Sequence, residues 1–143
     1  MDRLALPLLA LLLLAAAPLQ AGSVVAARTL RAQTVITAQD IAISDEVIPG
    51  AVSDPQAVIG LETRIAIYPG RPLHPGDLAP PAVVERNQTV SMAYQRGSLF
   101  IQTEGRALDR GAIGDTIRVM NSTSKATVTA RIGADGIAYV FPQ

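Results

Sequence analysis

Apolar residues alternate with polar ones along most of the chain, and the period is two. Val90, Met92 and Tyr94 fall on one side of a segment running from Thr89 to Tyr94. Ala126, Val128, Ala130 and Ile132 alternate with Thr127, Thr129 and Arg131 in the same way. Such alternation predicts half-buried strands. Val24 to Leu30, Thr34 to Ile36, Leu61 to Ile67, Leu99 to Thr103, Ile117 to Met120 and Ile137 to Val140 complete the strand set. Gln95-Arg96-Gly97-Ser98 and Asp135-Gly136 read as hairpin turns, and Glu104-Gly105-Arg106 reads as a break.

Two short helical turns interrupt the strands. Thr37 is placed to cap Ala38-Gln39-Asp40. Asp54 is placed to cap Pro55-Gln56-Ala57, with Gly60 supplying a left-handed exit. Pro69 to Pro81 contains five prolines and two glycines, and predicts a rigid, extended connector between two sub-domains. The fold class expected is therefore all-β, ending in a small barrel or sandwich, with one or two short helical turns.

The first 21 residues break the pattern. Met1-Asp2-Arg3 leads into an apolar run from Leu4 to Leu14, and small residues follow to Ala21. This is the pattern of an export signal, with cleavage after Ala21 or Ser23 and an uncleaved anchor as the alternative. The remaining ~120 residues suit one ordinary domain or two very small ones.

Charge and composition narrow the function. The chain carries 12 basic and 12 acidic residues, for a formal net charge of zero. That balance argues against nucleic acid and anionic membrane as partners. Cysteine is absent, so no disulfide supports the fold and no lipoprotein anchor is possible. Trp is absent and only five residues are Phe or Tyr, which weakens a sugar-stacking role.

Candidate chemistry is sparse. His74, between Leu73 and Pro75, is the only histidine, and its setting is that of a surface or capping residue. With no Cys and no second His, a zinc site has no ligand set. Asp109 and Asp115 in LDRGAIGDTIRV form the best acid pair. Arg110, however, stands where an aspartic-protease loop needs a small hydroxyl residue, and turn chemistry explains both aspartates more simply. Asn87 and Asn121 match the glycosylation acceptor pattern, which matters only in a eukaryotic source. The reading is a non-enzyme with no cofactor and no metal.

The chain also echoes itself. AARTLRAQTVITAQDI (Ala26 to Ile41) is similar to ETRIAIYPGRPLHPGDL (Glu62 to Leu78), and RNQTV (Arg86 to Val90) repeats RAQTV (Arg31 to Val35) with one change. Shared turn chemistry is the simpler explanation of these echoes, and internal duplication is the other.

The order of these motifs resembles a known family. LDRGAIGDTIRVMNSTSKATVTARIGADGIAYV (Leu108 to Val140) resembles the C-terminal signature of flagellar basal-body P-ring formation proteins. Gly60 to Met92 fits the same family, and Ala26 to Ile41 resembles the start of its SAF, or β-clip, module. The resemblance implies a SAF-like β-clip sub-domain over residues 22–81 and a β sub-domain over residues 82–143, behind a signal peptide over residues 1–21. It further implies a periplasmic chaperone whose partner is the flagellar P-ring subunit, working through binding energy alone and leaving the membrane once its signal is cleaved. A sugar- or peptidoglycan-binding β-clip module is the alternative. Two departures stand out. The family often carries Gly where this chain has Gln33 and Asn87, so the first turn is expected to differ in shape. Longer members carry an additional N-terminal domain for which these 143 residues leave no room.

Overall fold

The computed structural model describes residues 22–141, so the export signal expected over residues 1–21 lies outside the described residues. The described chain is all-β. Its strands are β1 (Ser23–Ala26), β2 (Ile41–Ser44), β3 (Glu62–Thr63), β4 (Leu78–Ala79), β5 (Ala82–Val84), β6 (Thr89–Arg96), β7 (Leu99–Ala107), β8 (Gly111–Ala112), β9 (Thr116–Asn121), β10 (Thr127–Ile132) and β11 (Ala138–Val140). Single 3-10 turns occupy Ala38–Asp40, Pro55–Ala57 and Pro75–Asp77.

The buried apolar side chains form two clusters. Val24, Ala26, Leu30, Ile36, Val58, Ile67, Leu73 and Leu78 make the first. Val84, Val90, Met92, Ala107, Ile117, Val119, Ala130, Ile132 and Ala138 make the second. Val, Ile, Leu, Met and Ala fill both, as a chain so poor in rings requires.

The first lobe is built twice over, with equivalent residues 37 positions apart. At its centre, the Leu30 and Ile67 amides each donate to the other's carbonyl at 2.8 Å. The Gln33 amide donates to the Thr63 carbonyl at 2.7 Å, and the Gly70 amide to the Ala26 carbonyl at 2.8 Å. Ile36 N–H reaches Leu61 as Leu73 N–H reaches Val24, at 2.8 and 3.0 Å. Ala26 pairs with Ile41 as Thr63 pairs with Leu78. Ala38–Asp40 and Pro75–Asp77 are the equivalent 3-10 turns, following Thr37 and His74. The echo between Ala26–Ile41 and Glu62–Leu78 is thus structural, in a register of 37 residues throughout. RAQTV and RNQTV are not equivalent. The left-handed residue is third in one (Gln33, φ 65°) and second in the other (Asn87, φ 69°).

This internal symmetry corrects two expectations. Pro69 to Pro81 is no extended connector: Leu73 is fully buried, Pro72 bridges to Val25, and the segment holds a third 3-10 turn and β4. It is the symmetry mate of Ala32–Ser44 and belongs to the first core. The first turn is not reshaped either, because Gln33 adopts the left-handed conformation of its counterpart Gly70 (φ 78°).

The second lobe is a closed five-stranded barrel in the order β10-β11-β6-β7-β9. The β11–β6 contact is parallel and the other pairings antiparallel. β7 runs straight through the expected break at Glu104-Gly105-Arg106. Gly105 is required there by close packing. A Cβ at this position would lie 2.2 Å from Met92 Sδ and 2.6 Å from Val119 Cγ1.

Candidate functional site

The two lobes are tied at one charged junction. Glu62 opens β3 and pairs with Ala79 of β4, after which Pro80-Pro81 leads directly into β5. β5 pairs with β8, which brings Arg110, the residue before β8, over Glu62. The guanidinium straddles two carboxylates. Its Nη2 lies 2.7 Å from Glu62 Oε2 and its Nη1 2.5 Å from Glu62 Oε1, while Nε lies 2.9 Å from Glu85 Oε2. The Ala82 amide also donates to Glu62, at 3.3 Å.

Glu62 is buried, and the electrostatics follow from its partners. Hydrogen bonds from Arg110 hold its carboxyl below the ordinary range; burial works in the opposite sense, and the Ala82 amide adds to the lowering. The same two carboxylates push the Arg110 guanidinium upward, so it stays charged at any physiological pH. A forked, planar cation suits such a bridge in a way a lysine would not. A cleft of about 380 Å³ opens beside the bridge, lined by Gln33, Thr63, Arg64, Pro80, Arg110 and Asp115.

The structure disperses the candidate acids. Asp109 receives Arg118 through Nε at 2.9 Å and Nη2 at 2.7 Å, and also accepts the Arg118 amide. Those bonds hold its carboxyl down at about 2. Asp115 instead accepts the Ala112 amide at 2.9 Å, closing the turn before β9. Each carboxylate has its own partner: Asp115 shows the turn chemistry read from the sequence, whereas Asp109 is held by an ion pair with Arg118 nine residues on. His74 occupies the cap position of the third 3-10 turn, with Nδ1 3.6 Å from Asp77. Asn121 Oδ1 accepts the amides of Thr123 and Ser124 and so shapes the β9–β10 turn. Among the described residues, no three His, Cys, Asp or Glu side chains gather as a metal site would need.

Arg110 appeared in the sequence only as a mismatch to a protease loop. Its partner Glu62 lies 48 positions earlier in the chain, and no local signal links the two. The chemistry this arrangement supports is binding and the positioning of two lobes.

Comparison with known proteins identifies the setting. The family described as the chaperone for flagella basal body P-ring formation matches residues 21–140. The chain belongs to that family. The chain is 32% identical over 93 residues to the distal basal body ring component protein of Caulobacter vibrioides, covering 65% of this chain and 35% of that protein. It is 33% identical over 91 residues to flagellar protein FlgA of Rhizobium meliloti, covering 64% and 54%. The chain thus matches about a third to a half of these relatives' length. Salmonella FlgA in open form shares its fold at a TM-score of 0.72 and 20% identity, over 82% of this chain and 59% of that one. FlgA from Thermotoga maritima does so at 0.61 and 22%, over 84% and 45%.

Proposed function

We propose that the protein is a periplasmic assembly chaperone that binds the flagellar P-ring subunit and assists P-ring formation around the rod. The family match across residues 21–140 carries this reading. The export-type sequence of residues 1–21 and the zero net charge support it, since a soluble exported binder of another protein needs neither a basic face nor a membrane span. We assign residues 22–81 to a SAF-like β-clip sub-domain and residues 82–143 to a C-terminal β sub-domain. The protein acts without catalysis. A chaperone of this kind masks a surface of its client and yields it to the growing ring, so its contact is transient and modest in area.

The test is co-purification of the tagged mature protein from periplasm, with mass spectrometry of its companions. Recovery of the P-ring subunit as the main partner is the expected outcome. Recovery of murein fragments or small sugars alone would replace the chaperone reading with a peptidoglycan-binding module.

A further inference from the structure

The β6–β7 hairpin outruns the barrel. β6 and β7 pair without a register shift from Thr89↔Arg106 to Arg96↔Leu99, but β11 reaches β6 only as far as Tyr94, and β9 meets β7 only from Gly105 to Ala107. Beyond Asn121 the chain turns away through Ser122–Lys125, where Lys125 has φ 62°, and returns as β10. Along β7 from Leu99 to Thr103, no strand among the described residues pairs with the side that β9 would fill if it continued.

The backbone of that edge is available. A two-residue Gly97-Ser98 loop makes Arg96↔Leu99 a hydrogen-bonded pair, and such pairs alternate along an antiparallel ladder. Leu99, Ile101 and Thr103 therefore bond to β6, while Phe100 and Gln102 direct their N–H and C=O groups outward. The Glu104 carbonyl already accepts the Ser122 amide at 3.0 Å, which marks where the closed part of the barrel ends. Leu99 to Gln102 are all exposed, with Leu99, Phe100 and Ile101 at 51, 56 and 48%. Edge strands ordinarily carry a lysine, a proline or a bulge that repels added strands. None interrupts this one.

The flanking surface fits an apolar strand. Tyr94, Ile101 and Thr103 share the barrel-facing side of the hairpin with Met92, because cross-strand partners face the same way. With Ser124, Val128 and Val140 they line a groove of about 200 Å³ under the overhanging arm.

We infer that the outer edge of β7, from Leu99 to Thr103, is the docking site for an uncharged, extended apolar strand of the client, which adds to the sheet in the line of β9. This deepens the chaperone reading and rests on it. The occupant follows from charge and size. Leu99 to Thr103 contains no ionisable group, and the nearest charges, Arg96 opposite Leu99 and Glu104 after Thr103, stand at its two ends, so the body of the edge matches an uncharged strand. A second copy of the same edge would cover a strip ~17 Å long and about one strand wide, on the order of a few hundred Å², well short of the roughly 1,200 Å² of a stable interface. A transient strand addition to a client needs no more than this.

The test uses the mature protein and purified, unassembled P-ring subunit. Amide hydrogen exchange is read at Phe100 and Gln102 with and without client, and affinity is compared between the parent and Gln102→Pro. That substitution removes an outward N–H and leaves the β6 ladder intact. Leu99→Ser with Ile101→Ser serves as a second variant, and the melting temperature shows that each variant is folded. At least tenfold slower exchange at both amides, with at least tenfold weaker binding by Gln102→Pro, is the expected result. Client binding with unchanged exchange at Phe100 and Gln102 would overturn the docking site and leave the chaperone reading standing. No binding by the parent would overturn the chaperone reading, and the client strand with it. A concentration-dependent dimer that Gln102→Pro abolishes would replace the client by a second copy.

Discussion

Gln33 sits at φ 65°, where a Cβ crowds the following carbonyl. Its symmetry mate is Gly70, for which the same conformation carries no such cost. Gln33→Gly should stabilise the protein by about 0.5–1 kcal/mol, the relief of strain being partly offset by the freer unfolded chain. Chemical denaturation reads this directly, and a destabilised variant would show that the Gln33 side chain supplies more than the backbone loses. Gly105 is the opposite case. Gly105→Ala would drive a methyl into Met92, Val119 and the Met120 carbonyl, and should cost about 1–3 kcal/mol, seen as a lowered melting temperature. A glycine in a strand pattern signals either a break or a close approach, and nothing within Glu104-Gly105-Arg106 separates the two. Met92 and Val119, on neighbouring strands, decide it.

Elements differ in how plainly their residues announce them. The barrel strands were legible because one face of each is buried and the other is wet, which writes the period of two into the chain. Val90 and Met92 in β6 and Ala130 and Ile132 in β10 are such positions. The capped turns at Thr37 and Asp54 were legible because capping is local: Asp54 accepts the Gln56 amide at 2.9 Å, and the Thr37 amide donates to Asp40 at 2.9 Å. Pro69 to Pro81 misled because proline reads as extended chain, while the bonds that fold it inward come from Val24, Ala26 and Val52. Arg110 was illegible for the same reason, its partners being far away in sequence. Arg110→Ala should destabilise the protein by about 2–3 kcal/mol, less than the roughly 3–5 kcal/mol for breaking a fully buried pair, because Arg110 itself is a quarter exposed. Equilibrium unfolding of Arg110→Ala against Arg110→Met with Glu62→Gln tests the cause: the double variant should recover part of the loss if the unpaired Glu62 charge is responsible. β1 bears on export as well. Ser23 Oγ accepts the Ile48 amide at 2.7 Å and the Ser23 amide donates to Glu46, so cleavage after Ser23 would remove both bonds. If the chain is exported as proposed, cleavage after Ala21 keeps both bonds, and the intact mass of protein recovered from periplasm should start at Gly22.

At the scale of the whole molecule, acid should loosen the fold and its lobe junction together. Glu62 and Asp40 are both buried and both held below their ordinary values of 4.5 and 3.8. For Glu62 the hydrogen bonds from Arg110 lead. For Asp40 burial opposes ionisation, but bonds from Thr37 and Arg28 prevail. Because the folded pKa lies below the unfolded one in each case, the unfolded chain binds more protons as the pH falls, and the stability these groups supply is complete above about pH 5. It should drain away as the pH drops from 4.5 through the folded-state values. Asp40 ties residues within the first lobe, whereas Glu62 ties the first lobe to the barrel, so their protonation has different consequences. Protonating Glu62 weakens the fork to Arg110, and small-angle scattering should report a larger radius of gyration below pH 4 before the barrel signal in circular dichroism is lost. Arg110→Ala should show the larger radius already at pH 7 and little further change on acidification. A radius that is the same for both proteins from pH 7 to the onset of unfolding would mean that the short, stiff Pro80-Pro81 link holds the lobes, with the ion bridge between them setting stability alone.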